Sequence, residues 1–129
     1  MQLSIAKYIV QMDPAPAAVI IDCIPDMTAA LISEHAAPLV SYLRANGLAH
    51  TPLLLVEGTN YTGQWLIPNI GPGVPATWMQ PTKRAALRAE YDKLVGNGVK
   101  NLHYIEGAQL LGGSNVDNEP WSHIFRPLY

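Results

Sequence analysis

The chain has 129 residues, of which 49% are hydrophobic and 14% charged, with a formal net charge of −2. That balance argues against intrinsic disorder, which goes with low apolar content and high net charge. It also argues against nucleic acid as a partner, because Lys83, Arg84 and Arg88 make one helix face rather than a basic patch. A chain of this length reads as a single domain, residues 1–129, able to bury roughly two-thirds of its unfolded surface. Cys23 is the only cysteine, so no intramolecular disulfide can form. It lies within an apolar run and reads as a small core residue, since a catalytic thiol needs a neighbouring base and partial exposure.

From the N-terminus, Leu3, Ile5, Ala6, Ile9 and Val10 fit a short amphipathic helix that stops at Asp13-Pro14-Ala15-Pro16. Lys7 interrupts this stretch and no small-residue cleavage site follows, so the segment does not read as a signal peptide, and the cytoplasm is the default expectation. No apolar run reaches the length of a membrane span. Residues 17–23 form a strand that is apolar on both faces, the pattern of a buried parallel strand. It ends in a polar turn carrying Asp22 and Asp26. Thr28 caps a helical segment running toward Ala37, and Pro38 is expected to open a second helical piece whose face is Leu39, Val40 and Leu43, closed by Gly47.

Pro52 to Val56 is the second strand, running into Glu57-Gly-Thr-Asn-Tyr61. Residues 58–80 make a long loop containing Trp65 and Trp78, and loops of that length in compact domains are usually functional or disordered. Pro81 starts the next helix, with Leu87, Tyr91, Leu94 and Val95 on one face and Gly96 or Gly98 at its end. Asn101 to Ile105 is the third strand, running into Glu106-Gly107 and a Gly-rich tail with Asp117. The order α-β-α-β-α-β implies parallel strands joined by right-handed crossovers. In such sheets ligands bind beyond the carboxyl ends of the strands, where these three acidic turns fall.

Taken in order, the pieces form a succession. They are Ile-Asp-Cys-Ile-Pro-Asp-Met, then Thr-Pro-Leu-Leu-Leu-Val-Glu with Tyr61 in the loop behind it, then Leu-His-Tyr-Ile-Glu-Gly followed by Val116-Asp117. From Ala17 to Asp117 it resembles the SGNH (GDSL-like) hydrolase superfamily and, within it, the small flavodoxin-like esterases. The resemblance implies an α/β, three-layer flavodoxin-like parallel sheet, here truncated at the N-terminus and at the last helix. It implies a serine esterase or acylhydrolase acting on a small ester substrate. No cofactor is implied, and none of His35, His50, His103 and His123 has a His or Cys at metal-ligand spacing.

Carried over position by position, Asp117 matches the family's last Asp, and Asp26 stands where the family has an Asn that donates to the oxyanion. Glu57, Asn60 and Tyr61 fall on the substrate side of the crevice. Three departures follow. No Gly-Asp-Ser is present, the general-base position holds Pro120, and an ionised Asp26 can only accept hydrogen bonds. Losing one oxyanion donor typically costs ~10²–10³ in turnover. The expectation is therefore an esterase by descent that is inactive as this chain. An alternative is a non-catalytic flavodoxin-like module that holds a small ligand or carbohydrate on the 58–80 loop. Read without the family, Asp22 and Asp26 close turns, Glu57 and Glu106 are solvated strand ends, and the tryptophans cover the sheet. Two further strands flank the matching strand in the family. Without them, Ala17 to Ile21 becomes an uncharged edge suited to a dimer or a partner strand.

Overall fold

The computed structural model describes residues 3–22, 27–58, 80–107 and 110. Its elements run α1 (Leu3–Val10), β1 (Val19–Ile21), α2 (Ala29–Ala45), β2 (Leu53–Val56), α3 (Gln80–Gly96) and β3 (Leu102–Ile105). All three strands are parallel and neighbour one another in the order β1-β2-β3, with Val19 opposite Leu53 and Leu53 opposite Leu102. This is the order and direction that the alternation of elements predicts. The register sorts the side chains by parity. Val19, Leu53, Leu55 and Leu102 enter the core, with Ile21 and Tyr104 packed against it. Their neighbours Ile20 and His103 are exposed and Leu54 is half-buried. Helix α2 packs against both α1 and α3, so the described helices form one layer over the first set of side chains.

Helix α2 begins as expected, with the Thr28 hydroxyl accepting the Leu31 N–H at 3.2 Å. It does not break at Pro38, which lies inside one continuous helix. Proline in a helix interior costs ~3 kcal/mol through its missing N–H and its clash with the preceding turn. Here the ring sits on the exposed side, while Ile32, Leu39, Val40 and Leu43 hold both halves of the helix in the core. Burying such side chains contributes ~1.5–3 kcal/mol each, enough to outweigh the proline.

Both long helices end in the same way. Gly47 has φ +107° and Leu48 N–H reaches back to the Leu43 carbonyl at 3.1 Å. Gly98 has φ +86° and Val99 N–H reaches the Leu94 carbonyl at 3.0 Å. Each glycine adopts the left-handed conformation that reverses the chain toward the next strand. In α3, Leu87 and Leu94 are buried and Tyr91 half-buried as the periodicity implies, but Val95 is 45% exposed. Lys83 and Glu90, by contrast, are buried, each only 3% exposed. The Glu90 carboxylate accepts from Lys93 Nζ at 2.6 Å. Lys93 lies one turn on, so an otherwise costly buried charge has a partner.

The amino ends of the strands are held by Arg44, in the last turn of α2. Its Nη1 donates to the carbonyls of Leu48 and Thr51, each at 2.6 Å. Its Nη2 donates to Lys100 and Asn101 at 2.9 and 3.0 Å. One planar guanidinium thus joins the segment entering β2 to the segment entering β3. A lysine, with one point charge, cannot reproduce that fork. Arg44→Met keeps the apolar stem and takes the guanidinium donors from the four carbonyls, of which Asn101 keeps the Leu53 N–H. It is expected to lower stability by about 2–4 kcal/mol, read as a shift of the urea midpoint at unchanged slope.

Candidate functional site at the strand ends

At the opposite, carboxyl end of the sheet the described residues present Asp22, Glu57 and Glu106, one beyond each strand. They are not equivalent. Asp22 is exposed. Glu57 has the parity of Leu53 and Leu55, so its side chain turns toward the helix layer, where the residue is only 9% exposed. A carboxylate so placed needs hydrogen bonds in place of water. The Tyr104 hydroxyl donates to Glu57 Oε1. The Gly107 N–H donates to Oε2 at 2.9 Å, and Arg84 Nε lies 4.0 Å from the same oxygen. Glu57 therefore is not a solvated strand end. It ties the end of β2 to the last residues of β3 and to the turn beyond it.

Helix α3 supplies the cations. Arg84 and Arg88 are four residues apart and project from one side of the helix. Arg84 donates through Nε and Nη2 to the Gly58 carbonyl at 3.1 and 2.8 Å. Arg88 pairs with Glu106 at 2.8 Å and lies over the Tyr104 ring, 3.9 Å from its centroid. Tyr91 packs against the same ring at 5.1 Å between centroids. The phenol of Tyr104 is thereby held between an aromatic ring, a guanidinium and a carboxylate. Burial first, then the hydrogen bond and negative charge of Glu57, push its pKa well above the ordinary tyrosine range, and Arg88 opposes the shift.

The two Glu-Gly turns touch through their backbones. A Cβ on Gly107 would stand 2.0 Å from the Gly58 carbonyl oxygen and 2.8 Å from its carbon. Position 107 requires glycine for that approach, so the Glu-Gly pairs at 57–58 and 106–107 are one joint seen from its two strands.

Of the residues singled out in the sequence, Glu57 lies in this cluster. Asp26, Asn60, Tyr61 and Asp117 lie outside the described residues, as do Cys23, Trp65, Trp78 and His123. His103 is hydrogen-bonded, its Nε2 lying 2.9 Å from Asn101 Oδ1. Tyr104, Arg84, Arg88 and Gly107 were not anticipated as a group. Two signals pointed to them: the repeated Glu-Gly and the four-residue spacing of the arginines. Among the described residues no group of three His, Cys, Asp or Glu is arranged to hold a metal, and no helix is long and apolar enough to cross a membrane.

Two substitutions separate the parts of the joint. Tyr104→Phe keeps the ring packing and removes the hydroxyl, and is expected to cost about 1.5–3 kcal/mol, the range for a hydrogen bond to a charged group. A tyrosine whose folded pKa is raised stabilises the fold fully below its unfolded pKa of about 10, and this contribution is lost as pH rises through the folded value. The stability difference between the parent and Tyr104→Phe should therefore be constant near neutrality and shrink above about pH 10. Gly107→Ala forces backbone against backbone and is expected to cost about 3 kcal/mol, the upper end of overpacking. It should also raise hydrogen exchange at the residue 107 amide, which native-state exchange measures directly.

Comparison with known proteins finds the same architecture. The family profile of the GDSL-like lipase/acylhydrolase family matches residues 1–124. A crystal structure of a GDSL-like lipase from Bacteroides ovatus superposes with a TM-score of 0.72 at 24% identity, covering 92% of this chain and 34% of that one. The salicylyl-acyltransferase SsfX3 from a tetracycline biosynthetic pathway superposes with a TM-score of 0.65 at 15% identity, covering 88% of this chain and 31% of that one. The chain thus spans about a third of the length of these solved structures. A search of curated proteins finds no match.

Proposed function

Because this chain belongs to the GDSL-like lipase/acylhydrolase family, we propose that it carries the strand-end scaffold of an ester-directed acylhydrolase while having no ester hydrolysis of its own. Family chemistry of this kind needs a nucleophilic serine at a strand end, a histidine to take its proton, an acid to orient the histidine, and donors for the oxyanion. Hydrolysis and acyl transfer share the acyl-enzyme and differ in whether water or another nucleophile accepts the acyl group.

The observation that carries the reading is the location of the serines. Ser4 lies in α1 and Ser33 and Ser41 lie in α2, so none of the described serines follows a strand. Ser114 and Ser122 belong to the tail, at the wrong end of the chain order for the family's nucleophile. By the family correspondence, Pro120 stands where the histidine is expected. In this proposal Asp117 and Asp26 occupy the acid and oxyanion positions, and Asn60 and Tyr61 face the substrate. Glu57 serves the substrate side through the turn it holds, because both of its oxygens are already hydrogen-bonded within the protein.

The purified chain should release no p-nitrophenol from short-chain p-nitrophenyl esters above a buffer blank. Nucleophile and base act as a unit, and the loss of either alone removes orders of magnitude in turnover. Saturable release abolished by one serine substitution would overturn the proposal and identify the nucleophile.

A further inference from the structure

The pair Asn-Gly occurs twice in the chain, at Asn46-Gly47 and at Asn97-Gly98. Both pairs stand at helix ends, where the glycine supplies the left-handed φ. Asparagine followed by glycine is also a place where a chain reacts with itself. The backbone nitrogen of the glycine attacks the side-chain carbon of the asparagine and closes a five-membered ring. Glycine has no Cβ to obstruct that approach. Even a Cβ built on Gly47 or Gly98 would meet nothing within 4 Å, so both sites have room for the ring. Asn46, Gly47, Asn97 and Gly98 are all exposed, so water reaches them.

Hydrogen bonding separates the two pairs. The Gly98 N–H donates to the Val95 carbonyl at 2.9 Å and the Val99 N–H to the Leu94 carbonyl at 3.0 Å, so the attacking nitrogen is held in a two-bond cap. After α2 only the second of these bonds has an equivalent, from the Leu48 N–H to the Leu43 carbonyl. The Gly47 N–H has no hydrogen-bond partner among the described residues. The side chains show the reverse. Asn46 Nδ2 donates to the Tyr42 carbonyl at 2.8 Å in an exposed bond, and the Asn97 side chain makes none among the described residues. Freeing the Asn46 side chain breaks that one exposed bond by rotation about its own torsions. Freeing the Gly98 nitrogen opens the backbone of the cap. Asn46 has already left the helical conformation, at φ −117° and ψ 42°, so rotation there unwinds no turn of α2.

We propose that Asn46-Gly47 is a site of spontaneous modification by water, and that reaction there uncaps α2. The Gly47 nitrogen gives its proton to solvent and forms a bond to Asn46 Cγ. The bond from Cγ to Nδ2 breaks, and Nδ2 leaves as ammonia. Water then opens the ring at one of its two carbonyls. Opening at Cγ leaves an aspartate at position 46. Opening at the backbone carbonyl leaves an isoaspartate, whose main chain runs through Cβ and Cγ and is longer by one atom. No oxidant or reductant takes part. Either product lacks Nδ2 and carries a carboxylate, which only accepts hydrogen bonds and cannot replace the donor to Tyr42. Its negative charge also stands at a helix C-terminus, where the helix dipole disfavours it. The longer main chain displaces Leu48, whose N–H holds the Leu43 carbonyl and whose own carbonyl accepts from Arg44 at 2.6 Å. The modification thus reaches the guanidinium that joins the entries of β2 and β3.

The purified chain is kept warm at mildly alkaline pH, sampled over days and followed by peptide mass spectrometry. Each event makes its peptide heavier by the difference between a hydroxyl and an amino group, and an isoaspartyl methyltransferase marks the longer-chain product. Conversion at Asn46 should outpace conversion at Asn97 by ~3–10-fold, the ratio set by the one further hydrogen bond that guards Gly98. Native-state hydrogen exchange should show the Gly47 amide exchanging faster than the Gly98 amide. The aged chain should melt below the fresh one. Asn46→Gln, whose longer side chain does not close the five-membered ring, should age without that loss. Conversion at Asn97 as fast as at Asn46, or no conversion at Asn46, would overturn the assignment of the site. A chain converted at Asn46 that melts as the fresh chain does would overturn the uncapping. The mass, exchange and melting readouts on the parent protein decide the question even if the glutamine variant fails to fold.

Discussion

The interaction on which the rest of this structure depends is the joint between the ends of β2 and β3, made by the Glu57 carboxylate with the Tyr104 hydroxyl and the Gly107 amide. Parallel strands cannot be joined by a tight turn, so each must be entered and left through a separate loop. Unless something fixes those loops, the strand ends fray, and a crevice built on them has no defined shape. A carboxylate is suited to the task because it offers two oxygens to donors from different segments. At the other end of the sheet Arg44 does the complementary job, offering donors to four carbonyls from the two entering segments. A negative group gathers donors at one end and a positive group gathers acceptors at the other.

This arrangement accounts for features that look unrelated along the chain. The Glu57 joint needs a tyrosine on β3 at the buried parity, and Tyr104 in turn is covered by Arg88 and Tyr91 from α3. Arg88 continues to Glu106, while Arg84 reaches the Gly58 carbonyl. Helix α3 is thereby attached to the strand ends by both arginines and carries a polar inner edge. Glu90 and Lys83 extend that edge along the same helix, which explains how α3 packs well with few large apolar residues. In a fold whose chemistry sits beyond the strand ends, rigid anchoring of the bordering turns matters more than extra burial.

The sheet is well tied along its length and at its ends, but unequal across its width. β3 and β2 share a continuous ladder with anchored termini. β1 is three residues long and, among the described residues, is bonded to β2 alone. The two solved structures of this fold are about three times as long as the stretch this chain matches.

Much of the fold was legible in the sequence because it follows from local rules. Strand and helix order came from uninterrupted apolar runs separated by helical periodicity, the cap from Thr28, and the helix ends from Gly47 and Gly98, where only a glycine adopts the required φ without strain. Pro38 misled because a local rule, the missing N–H, was outweighed by burial of residues on both sides of it. Val95 misled because periodicity cannot foresee that Lys83 and Glu90, both charged, will be buried on the inner face while Val95 stays in solvent. The site was legible only in outline. The sequence by itself determined that acidic residues and glycines would stand at the strand ends, and that a Gly-Asp-Ser nucleophile is absent. Only the tertiary structure decided that Glu57 turns inward while Asp22 stays in solvent, and that Gly107 is fixed by Gly58. Those outcomes depend on the registration of β2 against β3 and on the turn of α3 above them, and these bring together residues 26 to 50 positions apart in the chain.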